Sequence, residues 1–249
     1  MKKGLKIALI SIGIILLLAV IGFFAWGLTP LGPSDEALAA MESNTNVTVQ
    51  DNGDFIVFTP TANIPITGFI FYPGGHVDYR SYAPIAQEIA SSGYQVSIIK
   101  MPLSLAVFGI NKANEVVAAY PDMRYWVIGG HSLGGSMAAS YARKNTEKVQ
   151  GLALWASYPA SSNDLSTTTL KGLSTHGSND QVLKMDNFNA TLPLLPPGTI
   201  LEVIQGGNHA QFGNYGLQPG DGTATISAAD QQKQAADLTV RLLRAVEGE

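Results

Sequence analysis

The sequence predicts an α/β fold, a mostly parallel sheet with helices on both faces, preceded by one N-terminal transmembrane helix. Three observations predict it. Short apolar runs rich in β-branched and aromatic residues alternate with helical stretches through most of the chain. One of these runs ends at a glycine-flanked serine that leads straight into a helix, and the first 29 residues differ in composition from everything after them.

The elements follow in order. "MKKGLK" is basic, and the 22 residues of 7–28 carry no charge. As a helix they would span roughly 33 Å, enough to cross a bilayer. That is longer than the apolar core of an ordinary signal peptide, so an uncleaved anchor is expected rather than removal near "ALAA" (37–40). Lys2, Lys3 and Lys6 would stay cytoplasmic, placing the rest of the chain outside the cell membrane, extracytoplasmic. Residues 1–29 are thus expected as anchor, 30–46 as a polar, Pro- and Gly-bearing tether, and 47–249 as one domain.

Within that domain "VTVQDNGDFIVFTP" (47–60) reads as two strands turning at Asn52-Gly53. "TGFIFYP" is a buried strand, "SYAPIAQEIASSG" a helix opened by Ser81, "YQVSIIKM" a strand and "NKANEVVAAY" a helix. A strand at 124–130 precedes the serine, and three more follow its helix in "VQGLALWAS", "LKGLSTHG" and "TILEVIQGG". The last helix, "SAADQQKQAADLTVRLLRAV", opens on Ser227 and Asp230 in capping-box spacing, with apolar residues at Ala228, Ala235, Leu238, Leu242 and Val246. A parallel sheet of this kind binds ligands at the carboxyl ends of its strands.

Composition narrows the function. No cysteine is present, which excludes disulfides, catalytic thiols, cysteine-based zinc sites and a lipoprotein anchor. Beyond the three N-terminal lysines 12 basic residues face 19 acidic ones, a balance of −7 that disfavours nucleic acid as a partner. No H-E-x-x-H or similar ligand spacing occurs, so neither metal nor cofactor is expected.

The serine lies in "GGHSLGG" (129–135). With 26 Gly and 18 Ser in the chain, G-x-S-x-G alone is commonplace, and its setting between strand and helix is what gives it meaning. Gly130 and Gly134 fit a bend where a Cβ would collide, while the helix start offers N–H groups to a developing oxyanion. A serine needs a base, and the base an acid to orient it. "LSTHGSNDQV" ends a strand at Asp180 and "EVIQGGNHAQFG" ends the next at His209, giving the chain order Ser132, Asp180, His209. His76, His131, His176 and His209 all fall near strand ends; His131 and His176 are read as structural. Asp164 and Asp186 are rival acids that follow no strand directly.

With "YPGGHVDYRSY", "GGHSLGG", "HGSND" and "GGNHAQFG" the chain resembles the α/β-hydrolase superfamily over about 47–246, in particular small serine hydrolases of the dienelactone hydrolase-like group. The resemblance implies Ser132 as nucleophile, Asp180 as acid and His209 as base. It also implies an oxyanion hole from the Leu133 N–H and one of Gly75 or His76. A serine where dienelactone hydrolases use cysteine points to ordinary ester hydrolysis of a small-molecule substrate. A peptidase, an acyltransferase or a non-catalytic binding module on the same fold stays open. Only "YPASSNDLSTTT" (158–169) lies where a lid would be inserted, so the site is expected to be open, rimmed by "PLSLAVF" (102–108) and 212–226.

Overall fold

The computed structural model describes residues 3–248, so Lys2 of the basic cluster and Glu249 lie outside the described residues. Eight strands form one sheet in the order β1-β2-β4-β3-β5-β6-β7-β8. They are β1 Val47–Asp51, β2 Phe55–Pro60, β3 Thr67–Tyr72, β4 Gln95–Ile99, β5 Tyr125–His131, β6 Gly151–Trp155, β7 Lys171–Gly177 and β8 Ile200–Ile204. The hairpin β1/β2 and the β2/β4 pair are antiparallel, and every later pairing is parallel.

Alternation along the strands divides the core in two. Ile56, Phe58, Phe69, Phe71, Val127 and Trp155 face one side, against helices α3 (Ala83–Ser91) and α7 (Ala228–Glu247). Phe55, Val57, Ile70, Tyr72, Ile128 and Leu154 face the other, against α4 (Ala113–Ala119) and α5 (Leu133–Lys144). The buried Tyr72 hydroxyl donates to Ile110 O and accepts from Ala113 N, which fixes the start of α4. Ser227 caps α7 by accepting from Asp230 N at 3.0 Å, and Leu238 and Val246 sit at the margin of its buried stripe.

Helix α1, Lys3–Gly27, is long and apolar enough to cross a membrane. Three features differ from expectation. Residues 30–46 lie against the domain instead of holding it off. Leu31 pairs with Val77, Ser34 N donates to Asn214 O, and the short helix α2 (Asp35–Ala39) buries Ala37 completely. Ser81 does not open α3: Asp78 accepts from Arg80 N to cap a 3₁₀ turn, and Ser81 is buried inside that turn. Helix α6 (Met185–Thr191), between β7 and β8, has no counterpart in the apolar pattern because Asp, Asn and Thr dominate it.

Candidate active site

Ser132 sits between β5 and α5 with φ 53° and ψ −123°, a conformation that side-chain-bearing residues rarely adopt. A Cβ at Gly130 would lie 2.5 Å from Tyr72 O, and one at Gly134 would overlap the carbonyl oxygens of Tyr72 and Pro73. Ser132 N donates to Trp155 O at 2.9 Å, and its carbonyl accepts from Ser157 Oγ at 2.6 Å. Sequence reasoning missed Ser157, whose place after β6 has no distinguishing spacing.

Asp180 and His209 come together. His209 Nδ1 is 2.8 Å from Asp180 Oδ2, with 2 % and 0 % of the two side chains exposed. Asp180 Oδ1 also accepts from Val182 N and Leu183 N, so the carboxylate is held from both sides. His209 Nε2 is buried without a hydrogen-bond partner among the described residues, and His209 lines the same cavity of about 280 Å³ as Ser132 and Leu133. Asp164 is bonded to Ser166 instead, and Asp186 is exposed in the first turn of α6.

Two further residues hold the loops that carry this pair. Asp221 accepts from Ala210 N beside the histidine and from Gln181 N beside the acid. Gln231 is fully buried on α7 and pairs with both N–H and C=O of Asn208. Asp221 reads in sequence only as an Asp-Gly turn. Gln231 does leave a signal, since it falls inside the apolar stripe of α7 three residues after Ala228.

The loop after β3 approaches the elbow through a relay. Gly74 N–H donates to the Tyr82 hydroxyl, which lies 2.9 Å from His131 Nδ1. A hydroxyl that donates a hydrogen bond to Nδ1 pairs with the neutral His131 tautomer whose proton is on Nε2. Among the described residues Gly75 N–H and Leu133 N–H have no hydrogen-bond partner, and a Cβ at Gly75 would lie 3.0 Å from Leu133 Cδ2. The expectation for His76 is corrected: its N–H is spent on Ser104 O at 2.8 Å, and its ring lies against Trp26. His76, Leu103 and Ser104 all have positive φ, so the loop after β3 and its neighbour are strained together.

Burial, helped by the neighbouring His209, holds the His131 imidazole well below the ordinary histidine range. Burial also lowers His176, opposed by the Asp180 carboxylate; His176 packs edge-on against Phe188 at 4.9 Å. A depressed folded-state value means the unfolded chain takes the proton first. Stability is therefore complete above the unfolded value near 6.5 and declines as pH falls below it. The His131 contribution approaches a slope of about 1.4 kcal/mol per pH unit only once pH is well below that value. Thermal melts from pH 7.5 to 5 should show Tm falling with acid, less steeply in His131→Gln; an equal slope in the variant would contradict this.

No helix lies between β6 and β7, where a lid was not expected. A larger groove of about 520 Å³, between the end of α1 and 100–104, contains none of Ser132, Asp180 and His209. Among the described residues no group of three or more His, Asp or Glu could hold a metal ion.

A strained serine elbow between a central parallel strand and its helix is the arrangement of the α/β-hydrolase fold. The chain belongs to the alpha/beta hydrolase family, whose model matches residues 68–233. Comparison with curated protein sequences finds no match. Among solved structures it is similar to dienelactone hydrolase from Anabaena variabilis (17% identity, TM-score 0.58, covering 80% of this chain and 97% of that one). It is also similar to the esterase domain of a Rhodothermus marinus protein (13%, 0.56, 78% and 97%). A third is Est1E from Butyrivibrio proteoclasticus (12%, 0.56, 80% and 100%). At these identities the likeness is one of fold.

Proposed function

We propose that the protein is a membrane-anchored serine hydrolase, its catalytic domain extracytoplasmic, that cleaves carboxylic esters through an acyl-enzyme. The observation that carries this reading is the buried Asp180–His209 pair opening on the same cavity as the strained Ser132. His209 takes the Ser132 proton as Oγ attacks the acyl carbon, and Asp180 keeps the ring oriented and steadies the imidazolium. The N–H groups of Gly75 and Leu133 receive the oxyanion. His209 then protonates the departing alcohol, and water releases the acid by the same steps in reverse.

Acyl size follows from the cavity. At about 280 Å³ it is at the lower edge of small-molecule pockets, with Tyr158, Val182 and Leu183 among its lining. Each added methylene stabilises by about 0.8 kcal/mol only where it is truly buried. With 4-nitrophenyl esters, kcat/KM should be higher for acetate to butyrate than for palmitate. A steady rise to long acyl chains, measured below their micelle concentrations, would contradict the open, short pocket. Fluorophosphonate treatment of the protein tests the reaction class itself.

A further inference from the structure

The last turn of α1 is fastened to the loop that carries the free Gly75 N–H. Trp26 lies flat on His76, ring centroids 4.1 Å apart and planes 8° apart, and Trp26 O is 2.7 Å from His76 Nε2. One turn earlier Phe23 meets Phe108 edge-on at 6.3 Å. Phe23 and Trp26 share a helix face, so segment 102–108 runs alongside the end of the apolar helix. Tryptophan at the end of such a helix marks the level where lipid headgroups meet water. Gly75 immediately precedes His76, about 3.8 Å of backbone away, and is therefore held at that level.

Segment 102–108 has two edges. One faces the site: a Cβ at Gly75 would lie 3.7 Å from Leu105 Cδ2. The other leaves Val107 and Phe108 42% and 54% exposed, with Phe108 against Phe23, itself 40% exposed. This apolar edge is continuous with the bare surface of α1, which makes lipid its occupant.

We propose that the site draws its substrate from the bilayer surface, as an amphiphilic ester with a short acyl limb and an apolar alcohol limb that stays in the membrane. This rests on the serine hydrolase reading with a short acyl pocket. The Ser132 Oγ–acyl carbon bond forms as the ester C–O bond breaks, and the proton taken by His209 passes to the alkoxide. Water next replaces Oγ on the acyl carbon and returns the proton to Ser132. The short acid departs into water, and the apolar alcohol remains in lipid.

The test uses full-length protein in phosphatidylcholine vesicles, with 1,2-dihexadecyl-3-acetylglycerol as probe. Its ether chains cannot leave the bilayer, and its acetate is its only ester. Cleavage should be about tenfold or more faster when protein and probe share vesicles than when they occupy separate ones. Val107→Ser/Phe108→Ser should lower it about tenfold more than it lowers 4-nitrophenyl acetate turnover. Undiminished probe cleavage by that variant, or equal rates in shared and separate vesicles, would overturn the proposal. If the variant loses both substrates, the vesicle comparison on the unaltered protein decides. Fluorophosphonate labelling of Ser132 without probe cleavage overturns the membrane proposal alone; absence of labelling removes the hydrolase reading with it.

Discussion

Replacing Ser132 with alanine is expected to lower kcat for ester hydrolysis by about a million-fold while the fold survives. The size of the loss follows from the role: without Oγ no acyl-enzyme forms, and only the oxyanion donors and binding remain. Survival of the fold follows from the backbone. Alanine carries the same Cβ as serine, so the strain at φ 53° is unchanged, as are the bonds from Ser132 N to Trp155 O and from Ser157 Oγ to Ser132 O. Ser132→Gly should be equally inactive yet about 1 kcal/mol more stable than Ser132→Ala, because glycine adopts this conformation freely. Thermal melts and initial rates on 4-nitrophenyl acetate check both statements. An active alanine variant would place the nucleophile elsewhere.

Asp180→Asn should reduce kcat by about 10⁴-fold with KM nearly unchanged. The asparagine oxygen can still accept from Val182 N and Leu183 N, so the loop keeps its shape. Its amide group then faces His209 Nδ1 as a donor and forces the proton onto Nε2, where the ring can no longer accept one from Ser132. Asp164→Asn and Asp186→Asn should change the rate less than about threefold, in keeping with surface substitutions away from the site. If either matches the Asp180 variant, the acid is misassigned.

The sheet was legible because buried strands such as "TGFIFY" and "GLALW" read as continuous apolar runs, and because Asn52-Gly53 admits little besides a hairpin turn. Ser132 was legible because its bend tolerates only glycine at 130 and 134. That Asp180 and His209 meet followed from their shared position after parallel strands. What escaped depends on contacts between distant residues. His76 and Trp26 are 50 residues apart, and nothing in either neighbourhood announces the stack. The His76 N–H is bonded to Ser104 O, which leaves Gly75 as the free donor of the pair. Helix α6 consists of weak helix formers and is held by Phe188 packing on His176 and by Thr191 bonding back to Asn187 O, neither of them a local propensity. The stretch 30–46 looks like a tether by composition, yet Ala37 is fully buried and Met41 packs against the core.

The most direct measurement is the site of covalent capture. Full-length protein, treated with a fluorophosphonate and digested, should yield one phosphonylated peptide by mass spectrometry, with the adduct on Ser132, and heat-denatured protein should yield none. Capture at another serine, or no capture by protein shown to be folded, would contradict the assignment of Ser132, His209 and Asp180 as a working triad.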